Sequence, residues 1–129
     1  MNQEQVMNRT AESSLYLTSV ITIYLQMPET PMRASLSDQA LACRLEKDGV
    51  PLEIVEAALL LGSLRRLIRP KDAPSLSPIR SLAYFLPVIE ELTETPAPGN
   101  YLDYLRLKLQ QTAKNRATTV QKNTFLRDR

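Results

Sequence analysis

The stretch GVPLEIVEAALLLGSLRRLIRP, residues 49–70, predicts the central helix of an all-α fold. Its apolar residues cover most of the circumference of a helix, which is typical of an element buried on several sides. Pro51 suits the first helical position, where a missing N–H costs nothing, and Pro70 ends the helix. Ala58 and Gly62 lie one turn apart, so we expect another backbone to approach this side closely.

Four further segments have apolar residues at helical spacing, and proline or glycine lies between them. We expect a first helix over Ala11 to Met27, a second capped by Ser37, a fourth capped by Ser77, and a fifth from Asn100 to Gln111. Strand is the competing interpretation for the first, because its Val, Ile and Thr favour strands. Leu15, Tyr16 and Tyr24 are candidate packing residues there.

Pro87 falls inside the fourth predicted helix and should kink or divide it, because proline cannot donate to the preceding turn. After Gln111 the sequence loses its apolar period and becomes polar and basic. We therefore expect a single compact bundle of about five helices over residues 1–111 and a basic, flexible tail over residues 112–129.

The composition restricts the chemistry. The chain of 129 residues has no histidine and one cysteine, so disulfide frameworks, Cys/His zinc sites and imidazole bases are excluded. We expect no enzyme activity and no cofactor or metal, and we expect Cys43 to be a small buried residue. No secretory signal and no apolar run of about 20 residues is present, which predicts a cytoplasmic protein without a membrane partner.

The net charge of +2 conceals an asymmetry along the chain. Residues 1–60 hold four basic and eight acidic residues, whereas residues 61–129 hold twelve basic and six acidic ones. The carboxyl half therefore favours an anionic partner, although the opposite charges are also compatible with self-association of the two halves.

A cluster of basic residues surrounds the end of the central helix. Positions 65, 66 and 69 share one side of a helix, because each residue turns the helix by about 100°. Such a cluster matches phosphate oxygens through paired guanidinium donors, whereas the simpler interpretation is favourable contact with the negative end of the helix dipole. The predicted phosphate-binding residues here are Arg65, Arg66, Arg69, Lys71 and Arg80.

A second basic run follows Tyr104, which is itself a candidate for stacking on bases. Spaced cations among Gln, Asn and Thr suit an arm along a nucleic-acid backbone, and a solubilising tail is the equal alternative. The predicted nucleic-acid-binding residues in this run are Arg106, Lys108, Lys114, Arg116 and Lys122.

Two other groups of residues are not expected to form binding sites. The central helix opens with Glu53 and Glu56, whose carboxylates would repel phosphates, so we do not expect its amino end to enter a DNA major groove. The acidic runs around Glu46 and Glu90 have the pattern of solvated helix ends, so we do not expect them to bind a metal.

Residues 38–92 contain the GVP turn and the segment IRSLAYFLPVIEE. With these features they resemble a helical module of replication-initiator and primosome-type proteins of plasmids, phages and mobile elements. The resemblance implies a bacterial, DNA-associated and non-catalytic accessory function. The chain lacks a complete winged-helix reader domain, so the resemblance does not extend to origin recognition.

The leading hypothesis is therefore a small accessory or scaffold subunit of a nucleoprotein complex for replication, transposition or defence. It would contact the backbone of DNA or RNA and other protein subunits. The alternative is a protein–protein adaptor or homo-oligomer without a nucleic-acid role, which draws on the apolar excess of the central helix.

Overall fold

The computed structural model describes the backbone of residues 3–70 and 72–127, and the side chains of residues 15–70 and 72–115. Within these residues the regular structure is entirely helical, which confirms the predicted all-α class. The helices are α1 (Gln3–Gln26), α2 (Leu36–Lys47), α3 (Leu52–Leu67), a short 3₁₀ helix (Leu82–Phe85), α4 (Leu86–Glu94) and α5 (Tyr101–Arg127).

Helix α1 begins at Gln3, earlier than the expected Ala11, and the strand alternative for this segment is wrong. Tyr24 is fully buried in the core, but Leu15 is 67% exposed, so the expectation that Leu15 packs inward is wrong. The helix ends at Gln26, just before Pro28, as the sequence predicts.

Ser35, rather than Ser37, caps helix α2. The Ser35 hydroxyl accepts from the Asp38 backbone N–H at 3.1 Å, and the Asp38 carboxylate accepts from the Ser35 N–H at 2.9 Å, which is a reciprocal capping box. At the other end Gly49 has φ +79°, the left-handed conformation expected of it there. Cys43 is exposed, so the prediction of a buried cysteine is wrong.

Helix α3 is the centre of the core and packs against α1, α4 and α5. Val55, Ala58 and Leu59 are fully buried on it, as the apolar pattern predicts. Gly62 does face a close neighbour, but the neighbour is the ring of Phe85, not a backbone. A Cβ added at Gly62 would lie 2.8 Å from Phe85 Cδ1.

The fourth helix begins later than expected. Residues 72–81 contain no helix, and the cap is Ser81, whose hydroxyl accepts from the Ala83 N–H, so the assignment of Ser77 as cap is wrong. Pro87 stands in the first turn of α4, directly after the 3₁₀ helix. The predicted interior kink is therefore a division into two helices, with the proline where its missing N–H has no cost.

Helix α5 continues through Gln111 to Arg127, so the backbone shows no break where the polar segment begins. Leu105 and Leu109 bury its inner side. The division of the chain into a domain and a tail at residue 111 stays a prediction. In the part of the chain that the structure describes, no helix has the length and apolarity needed to cross a membrane.

Candidate functional site

The last turns of α3 border an open groove of about 500 Å³, which we name the arginine groove. It lies between the end of α3, the following loop, the 3₁₀ helix and the first turn of α4. Three of the five cations predicted around this loop meet here. The lining residues are Gly62, Arg65, Arg66, Arg69, Leu76, Tyr84, Pro87 and Val88.

Arg66 is the interior member of this groove. Its side chain is only 5% exposed, and its Nε and Nη2 donate to one oxygen of Glu29 at 3.0 and 2.8 Å. Nη2 also donates to the Ser77 carbonyl at 2.8 Å, and Nη1 donates to the Tyr84 hydroxyl at 3.1 Å. The guanidinium thus joins the loop after α1, the loop after α3 and the 3₁₀ helix, and it is not open to an external phosphate.

Burial acts to lower the pKa of Arg66, but the hydrogen bonds with Tyr84 and Glu29 outweigh it, and the pKa is raised. The guanidinium also lies over the Tyr84 ring, with 5.2 Å between Cζ and the ring centroid. Arg66 is therefore a positive charge that connects three neighbouring segments.

Arg65 and Arg69 are the accessible arginines. Arg65 forms a two-pronged pair with Glu91 of α4, at 2.7 and 3.3 Å, and about half of each side chain is exposed. The hydrogen bond to Glu91 is the main reason that the pKa of Arg65 is raised. Nη1 of Arg69 donates to the Pro74 carbonyl at 2.7 Å. Both cations thus line the groove while holding a second element.

Glu29 occupies an unusual backbone conformation, with φ +66°. This left-handed region is costly for a residue with a side chain and persists where surrounding contacts fix it. Two contacts do so: the Glu29 carbonyl accepts from the Ile79 N–H at 2.9 Å, and its carboxylate holds Arg66. The only feature of the sequence that indicates an unusual backbone at Glu29 is the PETP segment, in which prolines lie on both sides of it.

Asp38 supports the other side of the site and was not predicted to do so. It is 1% exposed, and its second oxygen accepts from the Leu82 N–H at 3.0 Å. Since Leu82 begins the 3₁₀ helix, this bond fixes the segment that carries Tyr84. No local pattern indicates this bond, because Asp38 and Leu82 are 44 residues apart in sequence.

Of the other predicted cations, the four whose side chains the structure describes do not line the arginine groove. Arg80 is exposed but does not line it. Arg106 on α5 pairs with Glu56 of α3 at 2.6 Å and with Asp103 at 3.3 Å. Its pKa is raised, chiefly by the hydrogen bond to Glu56. Lys108 and Lys114 are exposed, while Lys71 and the side chains of Arg116 and Lys122 lie outside the described residues.

Two aromatic pairs bear on the predicted stacking. Tyr84 is 44% exposed while its neighbour Phe85 is fully buried, so only Tyr84 is accessible from the groove. Tyr101 and Tyr104 are stacked, with 6.2 Å between ring centroids and 19° between planes. Tyr104 is 56% exposed beside Lys108. Its proposed stacking on bases, which the sequence suggested, stays a prediction.

Comparison with protein-family models, with curated proteins and with solved structures found no match. Among the described side chains of residues 15–70 and 72–115, no group of three or more cysteine, aspartate or glutamate residues is placed to hold a metal ion.

Proposed function

We propose that this protein is a small non-catalytic nucleic-acid-associated subunit that binds the phosphate backbone at the arginine groove. The observation that carries the proposal is the placement of Arg65 and Arg69 along one open groove beside the exposed Tyr84. Guanidinium groups offer paired donors in a planar fork, which matches two phosphate oxygens.

The pairs that these arginines already make do not block a phosphate. The Arg65–Glu91 pair is about half exposed on both sides, and exposed ion pairs contribute only about 0–1 kcal/mol. Exchange of Glu91 for a phosphate therefore costs little. Arg69 uses one nitrogen for Pro74, which leaves its other donors for a ligand.

Arg66 supports binding from inside. It fixes the Tyr84 hydroxyl and covers one face of the Tyr84 ring. A base can stack on an exposed tyrosine ring irrespective of its identity, which suits binding without sequence preference. The proposal therefore divides the three arginines into two contact residues and one positioning residue.

The wider function rests on the resemblance of residues 38–92 to replication-initiator and primosome-type modules. On that basis the protein acts in the bacterial cytoplasm as an accessory or scaffold subunit for replication, transposition or defence. DNA and RNA share the phosphate chemistry, so both belong in the test.

A second candidate function is that of an adaptor for an acidic, apolar peptide. It is favoured by the apolar part of the same groove, where Leu76, Pro87 and Val88 lie beside the arginines. A peptide with alternating acidic and apolar residues would use both parts of this lining, whereas a phosphate backbone would use only the cations.

The experiment measures fluorescence anisotropy of labelled single- and double-stranded DNA and RNA at increasing salt. We expect Arg65→Glu with Arg69→Glu to abolish binding, because each reversal repels phosphate. The wild-type affinity should fall with salt, with a slope that drops by about one for each arginine contact removed. Arg44→Glu is the matched control, since Arg44 is an exposed arginine outside the arginine groove.

Binding that ignores both salt and the Arg65 and Arg69 reversals contradicts the proposal. Absence of binding to every oligonucleotide, together with capture of an acidic apolar peptide that the same reversals abolish, selects the adaptor.

A further inference from the structure

A second groove, of about 430 Å³, lies between α2 and α4 on another part of the molecule. We name it the α2–α4 groove. Leu45 and Ile89 form its buried floor, and the half-buried Leu41, Val50 and Leu86 form its apolar walls. No described element of this chain fills it.

The rim of this groove is acidic. Asp48, Glu90 and Glu94 border it, against a single cation, Arg44, which pairs with Asp48 at 3.9 Å. Glu90 and Glu94 lie one turn apart on α4, and both are exposed. The occupant that fits is therefore an apolar side chain flanked by cations.

The outer side of α5 has this chemistry. Successive residues turn a helix by about 100°, so positions 104, 107, 108, 111 and 114 fall within roughly one third of the helix surface. This side lies opposite the buried Leu105 and Leu109. We name it the α5 face; it consists of Tyr104, Leu107, Lys108, Gln111 and Lys114.

Exposure on this face is high. Tyr104 and Leu107 are each 56% exposed, and the two lysines beside them are exposed as well. The acidic Asp103 points its carboxylate to Arg106, which in turn holds Glu56 of α3. Apolar side chains flanked by lysines are therefore presented to solvent without a neighbouring free carboxylate among these residues.

We infer that the α5 face of one copy of this chain docks into the α2–α4 groove of a second copy. Leu107 and Tyr104 would enter the apolar part of the groove, while Lys108 and Lys114 would lie against Glu90 and Glu94. The inference goes beyond the proposed function, and it assigns the two lysines to contact between copies instead of phosphate.

The two contacting surfaces are different, so the contact is heterologous. Such contacts produce rings if the rotation closes and open chains if it does not. A few charges around two apolar side chains form a small interface, so we expect weak association that salt weakens further.

The test is sedimentation velocity from about 1 μM to about 1 mM protein with two charge-reversed variants. The groove variant carries Glu90→Lys and Glu94→Lys, and the face variant carries Lys108→Glu and Lys114→Glu. In each variant alone, the α5 face and the α2–α4 groove carry charges of the same sign and repel each other. Each variant should therefore need at least about tenfold higher concentration to associate. In an equimolar mixture, the face of each variant meets a groove of opposite charge on the other variant. The mixture should therefore associate as the wild type does.

Circular dichroism verifies that both variants keep the wild-type helix content. The matched control reverses Arg33 and Asp72, which are exposed and belong to neither surface, and it should sediment as the wild type. Arg65 and Arg69 are unchanged in every variant, so binding to nucleic acid at the arginine groove is measured independently.

A wild type that stays monomeric throughout this range overturns the inference, as does a mixture of the two variants that fails to associate. So does a face variant that sediments as the wild type but loses affinity for nucleic acid, because the two lysines would then contact phosphate.

Discussion

Arg66, which lines the arginine groove, forms an ion pair with Glu29, 37 residues away in sequence, and two of its nitrogens donate to one Glu29 oxygen at 3.0 and 2.8 Å. The Arg66 side chain is 5% exposed, whereas the Glu29 side chain is 42% exposed. The pair closes the end of the core where the loops after α1 and α3 meet. It therefore ties the geometry of the groove to the stability of the fold.

Arg66→Ala should reduce the free energy of unfolding by about 2–4 kcal/mol. The loss leaves the Ser77 carbonyl and the Tyr84 hydroxyl without their donor, and it removes the packing of a buried side chain. Urea unfolding followed by circular dichroism measures the change. Arg65→Ala is the control, since its pair is exposed and should cost at most about 1 kcal/mol. Equal effects of the two substitutions would contradict this division of the arginines.

Gly62→Ala should destabilise the protein by about 1–3 kcal/mol despite the better helix propensity of alanine. The new Cβ would lie 2.8 Å from Phe85 Cδ1, and Phe85 is fully buried, so the ring has no space to withdraw. A thermal melt measures the effect. In a chain that also carries Phe85→Leu, Gly62→Ala should reduce stability by less. Additive effects of the two substitutions on stability would show that residues 62 and 85 are not in contact.

The helices of this fold could be predicted from local sequence because their signals are local. The apolar period of α3 and the left-handed Gly49 depend on neighbouring residues only. The first error overlooked a local pattern: Ser35 caps α2 because Asp38, three residues later, completes a capping box. The second error involves a tertiary contact: the segment after Pro70 stays non-helical while Arg66 bonds to the Ser77 carbonyl.

The candidate site could be predicted only in part for the same reason. The sequence places Arg65, Arg66 and Arg69 on one side of a helix, and all three line the groove. It does not indicate that Arg66 turns inward, because Glu29 lies in a different part of the chain. Pairing over long sequence separations depends on how the helices pack, which no local pattern specifies.

Asp38→Ala should reduce the free energy of unfolding by about 2–4 kcal/mol. The change removes the carboxylate half of the α2 capping box, which accepts from the Ser35 N–H, and leaves the buried Leu82 N–H without an acceptor. Urea unfolding measures the loss. Ser37→Ala, one residue earlier and exposed, is the control and should change stability by less than about 0.5 kcal/mol. A loss confined to about 1 kcal/mol would indicate that only the cap matters.

Tyr16 and Tyr24 should respond in opposite directions to replacement by phenylalanine. The Tyr16 hydroxyl donates to the Val50 carbonyl at 2.8 Å, so Tyr16→Phe should destabilise by about 1 kcal/mol. The buried Tyr24 hydroxyl has no partner among the described residues, so Tyr24→Phe should stabilise by about 1 kcal/mol. Urea unfolding at neutral pH measures both, and a destabilising Tyr24→Phe would indicate that a water molecule satisfies the hydroxyl.

The same two tyrosines predict a loss of stability at alkaline pH. Burial, assisted by the negative charge of Glu46 and Asp38 respectively, raises the pKa of each hydroxyl from 10.0 to about 12. Between pH 10 and about 12, the unfolded chain releases the two tyrosine protons while the folded chain still holds them. The contribution of the raised pKa values to the free energy of unfolding is therefore complete below pH 10 and is lost as the pH rises to about 12. Stability measured across this window should therefore fall more steeply for the wild type than for the Tyr16→Phe, Tyr24→Phe double variant. The two proteins differ in no other titratable group, so parallel curves would show that the folded hydroxyls ionise as freely as the unfolded ones.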